Sequence, residues 1–144
     1  MEDDLIEILL VEDNPGDVEL TRKAFTECKV RNRIHVVQDG EEAIDFLYRR
    51  GKFHDAVPPD IILLDLNLPR KNGEEVLEDI KQDSDLCKIP VIILTSSEAE
   101  RDMYMGYRLH ANRFITKPVN LEKFIEIVRE IETFWLSVVR VDAV

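Results

Sequence analysis

Short runs of apolar residues alternate along the chain with longer stretches in which apolar residues recur every three or four positions. The short runs are typical of β-strands, and the longer stretches are typical of amphipathic helices. Five strands are predicted in this way, at Ile6–Val11, Ile34–Val37, Ile61–Leu64, Val91–Leu94 and, in a short form, Phe114-Ile115. Each is followed by a predicted helix, so the pattern indicates five strand–helix units.

Residues that cap helix N-termini mark where these helices begin. The predicted caps are Asn14, Asp39, Asn72, Ser97 and Asn120. Asn14 stands before a proline, which suits the first helical position, while Asn72 and Ser97 each precede a glutamate by three positions in capping-box style. The last helix is predicted from Leu121 to about Val139, and the segment Gly51–Pro59 is predicted as a loop.

The strands differ from those of a half-exposed sheet, because the first, third and fourth are apolar at successive positions instead of alternating. Parallel strands that are covered by helices on both faces have this pattern. Right-handed crossovers then give a doubly wound α/β fold, whose sites lie beyond the carboxyl ends of the strands. We expect one domain over residues 1–144 with a core from about 5 to 139, and no output domain.

The chain has 144 residues and a formal net charge of −11, with 44% hydrophobic and 34% charged residues. Such an acidic protein is a poor direct partner for nucleic acid or an anionic membrane surface. No apolar run is long enough to span a bilayer, and the acidic start lacks the basic region of a signal peptide. We therefore expect a cytoplasmic protein.

Candidate chemistry is concentrated at the carboxyl ends of the predicted strands. Strand one ends in Glu12-Asp13, strand three in Asp65, strand four in Thr95 and strand five in Lys117. Three carboxylates in one cleft repel one another, and Mg²⁺ resolves this while accepting phosphate oxygens. A carboxylate beside Mg²⁺ can attack phosphorus, and a hydroxyl and an ammonium can stabilise the phosphoryl oxygens.

Each of these residues also has an ordinary structural explanation. Glu12 and Asp13 could form only an acidic turn before a helix, Asp65 a turn or cap, Thr95 a strand end and Lys117 a surface lysine. Taken alone, each of the four positions favours that explanation. Their occurrence at successive strand ends of one fold instead favours a common phosphoryl-transfer site.

With these residues in place, the chain resembles the receiver domains of two-component response regulators. The resemblance runs from about Leu5 to Val139 and rests on four strings: Val11-Glu12-Asp13-Asn14, Leu64-Asp65-Leu66-Asn67-Leu68-Pro69, Leu94-Thr95-Ser96 and Ile115-Thr116-Lys117-Pro118. The intervals between them also suit that family. It implies a flavodoxin-like fold of five parallel strands in the order 2-1-3-4-5 with five helices, an order for which a receiver is itself a standard example.

The resemblance also implies roles for individual residues. Asp65 would accept a phosphoryl group from a histidine kinase, and Mg²⁺ would be held by Glu12, Asp13, Asp65 and the backbone carbonyl of Asn67. Thr95 and Lys117 would bind the phosphoryl group, and Phe114 would be the aromatic switch residue, without the hydroxyl of the more frequent tyrosine. The protein would be a phosphorylated signalling switch, not an enzyme beyond Mg²⁺-dependent self-phosphorylation and autodephosphorylation.

The long Gly51–Pro59 loop and the Trp135-Leu136 pair resemble the single-domain receivers associated with bacterial phytochromes, so the kinase could be a phytochrome. Apolar residues on the fourth and last helices exceed what one buried face requires. In the last helix we assign Leu121, Phe124, Ile125, Val128, Ile131 and Trp135 to the core, and Ile127, Phe134 and Val141 to a partner or homodimer surface. A fully buried last helix is the alternative.

Two other functions compete with the signalling switch. A phosphatase of the haloacid-dehalogenase type also uses a strand-end Asp and Mg²⁺, but it needs an acid two positions after the nucleophile, where this chain has Asn67. A flavodoxin-like electron carrier needs a phosphate-binding loop after strand one, where Glu12 and Asp13 would repel the flavin phosphate. Both are weaker than the receiver hypothesis.

Overall fold

A computed structural model describes residues 5–29, 31–68, 70–95, 113–116 and 120–142; side chains are described in these ranges except at 95, 113–116 and 134–142. The elements are β1 (Ile6–Val11), α1 (Pro15–Thr26), β2 (Asn32–Val37), α2 (Gly40–Leu47), β3 (Ile61–Asp65), α3 (Gly73–Gln82), β4 (Val91–Thr95), β5 (Arg113–Thr116) and a C-terminal helix (Leu121–Asp142). Short 3₁₀ turns lie at Gly51–Phe53 and Leu86–Lys88.

All the strands run parallel, as the apolar runs predict. β1 lies between β2 and β3, and β4 follows β3, which confirms the order 2-1-3-4 for the first four strands. The backbone of β5 pairs with the outer edge of β4. The predicted fourth helix, which begins near Ser97, lies outside the described residues.

Two apolar layers cover the two faces of the sheet. On one face, Leu9, Val11 and Leu64 pack with buried residues of α2 and α3. On the other, Ile8 and Leu10 pack with α1 and the C-terminal helix. This alternation of neighbouring residues between opposite layers is what a strand with helices on both faces requires, and it confirms the doubly wound α/β class.

Helix caps occur where the sequence predicts them in the described residues. The side chains of Asn14, Asp39 and Asn120 accept from backbone amides three residues on, over 3.1, 2.8 and 2.8 Å. Asn72 and Glu75 form the reciprocal capping box. These caps satisfy amides that a helix cannot pair internally, and they fix the point at which each strand-to-helix loop ends.

The C-terminal helix differs from its predicted faces at two positions. Ile127, assigned to a partner surface, is only 6% exposed and packs in the core with Phe124 and Val128. Leu121, assigned to the core, is 37% exposed. The buried stripe is therefore Phe124, Ile127, Val128 and Ile131, whose spacing of three and four is that of one helix face.

Within the described residues, none of the helices combines the length and the hydropathy that crossing a membrane would need.

Candidate functional site

The central strands bring the predicted acidic residues to one edge of the sheet. Val11, the last residue of β1, pairs with Leu64 of β3, so Glu12 and Asp65 follow at the same level. Asp65 is itself the last residue of β3, one position later than the predicted end of that strand. Because parallel strands end at a common edge, residues far apart in sequence become neighbours here.

Three carboxylates meet at this edge. One oxygen from each of Glu12, Asp13 and Asp65 can be chosen so that all lie within 4.8 Å of one another. Glu12 is 1% exposed and Asp65 is 3% exposed, whereas Asp13 faces solvent. Burying two carboxylates side by side is costly unless their charge is compensated, and hard oxygen donors at this separation fit a divalent cation such as Mg²⁺.

Backbone amides orient the two buried carboxylates. The Asn67 amide donates to Asp65 Oδ1 over 2.9 Å, and the Asn14 amide donates to Glu12 Oε2 over 3.3 Å. The Glu12 amide donates to the Val37 carbonyl over 3.0 Å, which extends the β1–β2 ladder by one residue. Backbone amides in the loops after β1 and β3 therefore fix the orientation of these two carboxylates.

Two glycines that the sequence analysis did not single out allow the loops to approach this edge. A Cβ at Gly73 would lie 2.3 Å from the Asp65 carbonyl oxygen, and one at Gly40 would lie 1.9 Å from the Lys71 carbonyl oxygen. Both distances are too short for any side chain. A glycine at the first position of a helix after a strand is the only signal the sequence carries for such an approach.

The remaining predicted site residues are placed only in part. Thr95 ends β4, where its backbone pairs with Thr116 of β5, and Phe114 lies in β5 opposite Ile93. Thr95 thus belongs to the strand next to that of Asp65 and Phe114 to the strand beyond it, but their side chains lie outside the described ones. Lys117 lies outside the described residues altogether.

The amino ends of the same two strands carry a second pair of acidic residues. Glu7 is 8% exposed, and its carboxylate contacts Arg33 Nη1 at 3.1 Å and His35 Nε2 at 2.7 Å. The Glu7 amide donates to Asp60 Oδ2 over 2.8 Å. Burial raises the pKa of the Asp60 carboxyl above its ordinary value; this amide hydrogen bond opposes the rise, and the nearby Glu7 charge adds to it.

Comparison with known proteins identifies the class to which this fold and site belong. Residues 8–129 match the family model of the response regulator receiver domain. The chain therefore belongs to the response regulator receiver family and acts in phosphorelay signalling. The receiver hypothesis is confirmed at this level, and the family is one of signalling proteins that bind a divalent metal.

The most similar relatives include receivers of phytochrome systems. The chain is 42% identical to the response regulator Rcp1 of Synechocystis sp. over 136 residues, which cover 94% of this chain and 92% of Rcp1. The phosphorylated cyanobacterial phytochrome response regulator RcpA is 46% identical, with a TM-score of 0.80 and coverage of 92% of this chain and 94% of RcpA. The Mn²⁺-bound form of Rcp1 is 41% identical, with a TM-score of 0.80 and coverage of 92% and 96%. The resemblance to phytochrome-associated receivers is confirmed.

Proposed function

We propose that Asp65 is the phosphoryl acceptor of this receiver and that Glu12, Asp13 and Asp65, with the backbone carbonyl of Asn67, hold Mg²⁺ beside it. The observation that carries the proposal is the convergence of three carboxylates from two strand ends within 4.8 Å. The Mn²⁺-bound structure of Rcp1 shows that a relative takes a divalent cation. Asp65 is singled out because it is buried and ends β3, the central strand of the sheet, whereas Asp13 faces solvent and Glu12 follows β1, one strand away.

The reaction follows from these positions. A carboxylate oxygen of Asp65 attacks the phosphorus of a phosphohistidine, and the new O–P bond forms as the P–N bond breaks. The ring nitrogen keeps the bond pair and takes a proton from solvent, so that neutral imidazole leaves. Transfer of this kind depends mainly on positioning and on neutralising the phosphoryl oxygens. Bound Mg²⁺ supplies part of that neutralisation, and Thr95 and Lys117 supply the hydroxyl and the ammonium. The Asn67 amide holds Asp65 for the attack.

The same proposal extends to the parts of the chain beyond the central strands. We assign Phe114 as the switch residue that reports phosphorylation. The fourth helix that the sequence predicts from Ser97 would complete a five-strand, five-helix receiver in a single domain. The family match supports this because it spans residues 8–129 without interruption. A phosphoryl acceptor shares the compartment of its ATP-consuming donor, so we place the protein in the cytoplasm.

Incubation with acetyl phosphate and Mg²⁺ tests the acceptor. Wild-type protein should gain one acid-labile phosphoryl group, measured by intact-mass spectrometry, and Asp65→Asn should gain none. Asp60→Asn is the matched control, because Asp60 stands just before the amino end of the same strand. Equal labelling of the wild type and Asp65→Asn would show that Asp65 is not the acceptor.

We further propose a phytochrome-type histidine kinase as the phosphoryl donor, since RcpA is a phytochrome response regulator and shares 46% of its sequence with this chain. Autophosphorylated phytochrome and non-phytochrome kinases should be offered to the protein at equal concentration. We expect faster transfer from the phytochrome kinase. Equal rates from both would contradict this assignment while leaving Asp65 as the acceptor.

A homodimer through the fourth and C-terminal helices is the third part of the proposal. Phe134 and Val141 remain from the apolar set that the sequence assigns to this surface, whereas Ile127 is in the core. Sedimentation velocity with and without beryllofluoride, a phosphoryl mimic, tests it. A dimer that Phe134→Glu dissociates is expected, and a monomer under both conditions would contradict the interface.

A further inference from the structure

The loop between β3 and α3, described at residues 66–68 and 70–72, contains a non-glycine residue in the left-handed backbone region. Arg70 has a φ of 61°. Residues with a Cβ rarely adopt this conformation, and they keep it only where the surroundings hold it. Strained backbone of this kind is found most often at binding and switch sites. Arg70 lies five positions after Asp65 and three after Asn67, so its conformation helps to set the path of the proposed metal-binding loop.

Two acidic side chains at the start of α2 hold Arg70. Its Nε lies 3.9 Å from Asp39 Oδ2, and its Nη1 lies 3.5 Å from Glu41 Oε2. Asp39 is mostly buried because its other oxygen caps α2 by accepting from the Glu42 amide over 2.8 Å. Arg70 is thus anchored to a residue that is itself fixed, although its own side chain remains largely exposed.

Backbone packing holds the loop on both sides. The Lys71 carbonyl oxygen would lie 1.9 Å from a Cβ on Gly40, so the loop lies directly against the first turn of α2. At its other end, the Gly73 amide donates to the Leu66 carbonyl over 3.2 Å, and Gly73 lies directly against Asp65. The loop therefore packs against α2 near one end and against Asp65 at the other.

We propose that Arg70 is a positioning residue for the metal site, which holds the loop in the conformation that directs the Asn67 carbonyl at the cation. The inference rests on the proposed function, since it assumes that Asn67 is a ligand. Arg70 acts through the ion pairs with Asp39 and Glu41, which brace the loop against α2. It does not contact the cation or the phosphoryl group.

The direction in which cation affinity changes when Arg70 is removed distinguishes a positioning role from a purely electrostatic effect. Arg70 carries a positive charge in the loop that follows Asp65, so its electrostatic field opposes the binding of a divalent cation there. If charge alone mattered, Arg70→Ala would bind the cation more tightly. If Arg70 positions the loop, the same substitution must weaken binding, because the free loop spends part of its time in conformations that do not present the carbonyl.

Mn²⁺ binding to the full chain, followed by the electron paramagnetic resonance signal of free Mn²⁺, tests the proposal without any phosphoryl donor. We expect Arg70→Ala to raise the dissociation constant about threefold to fivefold, the upper end for exposed ion pairs. Lys52→Ala is the matched control: it removes one positive charge and an exposed ion pair with Glu42 on the same helix, away from the loop. It should leave Mn²⁺ affinity unchanged or slightly increased.

Further variants separate the ion pairs from the backbone conformation. Asp39→Asn keeps the cap but removes the charge, and in combination with Arg70→Ala it should add no further loss, because both variants break the same pair. Arg70→Gly adopts the left-handed conformation freely but has no guanidinium. It should bind Mn²⁺ as weakly as Arg70→Ala, and wild-type affinity in Arg70→Gly would overturn the proposal.

Labelling by acetyl phosphate gives the second readout. Arg70→Ala should need more Mg²⁺ for half-maximal labelling, yet reach the wild-type rate at saturating Mg²⁺. A rate that stays low at saturating Mg²⁺, or Mn²⁺ affinity equal to that of the wild type, would refute a positioning role. Labelling of Asp65→Asn at the wild-type level would instead refute Asp65 as the acceptor, and the Mn²⁺ titrations would still report on Arg70.

Discussion

The two ends of β1 and β3 both carry acidic residues, but the described side chains around those acids differ in charge. At the amino end, the Glu7 carboxylate contacts Arg33 and His35. At the carboxyl end, the neighbours of Asp65 in the cluster are two more carboxylates, Glu12 and Asp13. Among the described side chains, one end of these strands thus has an acidic group beside basic residues, and the other has three carboxylates that suit a cation from solution.

This difference separates structural from functional acids. Attraction to basic side chains offsets part of the cost of burying a carboxylate, and removing one partner leaves an uncompensated charge in a medium that solvates it poorly. Repulsion within a cluster of like charges destabilises the apo protein, and binding of a cation to the folded state offsets that repulsion. Burial alone would not tell the two ends apart, since both Glu7 and Asp65 are less than 9% exposed.

The strongest test of this contrast is phosphoryl labelling after neutral substitution at each end. The double variant Glu12→Gln/Asp13→Asn should lose more than about 100-fold in Mg²⁺-dependent labelling by acetyl phosphate, because loss of even an outer-shell partner of a metal costs roughly 10–100-fold. Glu7→Gln should label at the wild-type rate under conditions in which it remains folded. Equal losses at both ends would remove the distinction, and labelling in EDTA would contradict a metal requirement.

The next effect is steric and concerns how tightly the carboxyl end is packed. Gly73→Ala should lower the free energy of unfolding by about 2–3 kcal/mol, the usual cost of an added methyl group in a filled space. The reason is that its Cβ would meet the backbone of Asp65 at 2.3 Å. Gly16→Ala is the control, because its Cβ would meet only the Asn14 side chain, at 3.1 Å. Urea unfolding measures both, and equal stability of the two variants would contradict the tight packing.

Stability in the absence of divalent cations should respond with opposite sign at the two ends. Glu7→Gln should destabilise the protein by about 1–2 kcal/mol, since Arg33 and His35 lose their shared carboxylate. Asp13→Asn should stabilise the apo protein by up to about 1 kcal/mol by relieving repulsion at the cluster. Thermal unfolding in EDTA measures this, and destabilisation by Asp13→Asn would show that the cluster is not repulsive.

The smallest effect is the pH dependence of the amino end. Burial raises the pKa of Asp60 above its ordinary value of 3.8, so the folded protein holds this proton more tightly than the unfolded chain does. The stabilising contribution is complete below the unfolded pKa and is lost as the pH rises through the folded pKa. As the pH rises through that interval, the free energy of unfolding of Asp60→Asn should therefore increase relative to that of the wild type. The increase should be less than about 1 kcal/mol, because the carboxyl is partly exposed.

Urea unfolding of the two proteins at a series of pH values above and below 3.8 measures this difference. If the difference in free energy of unfolding between the wild type and Asp60→Asn does not change with pH, Asp60 has the same pKa in the folded and unfolded states. If the wild type instead becomes more stable relative to Asp60→Asn as the pH rises, the pKa of Asp60 is lowered by folding. The hydrogen bond from the Glu7 amide would then outweigh burial.

The sequence by itself predicted the described strands and helices and the acidic residues of the candidate site. The apolar runs of β1, β3 and β4 showed buried parallel strands, and the caps at Asn14, Asp39 and Asn72 fixed the helix starts because capping is local. The acids at the strand ends were also readable, since a parallel sheet brings its carboxyl ends together. The strand order came from the resemblance, because periodicity carries no information on which strands are neighbours.

The tertiary structure alone decided which face of the C-terminal helix is buried and which residues brace the site. The apolar positions of that helix are too many for one face, so only packing against the sheet could place Ile127 in the core and Leu121 at the surface. In the same way, Arg70 and Asp39 are far apart in sequence, and Gly40 and Gly73 look like ordinary helix starts. Their importance arises from distances between segments, which depend on how the whole chain packs and not on any local pattern.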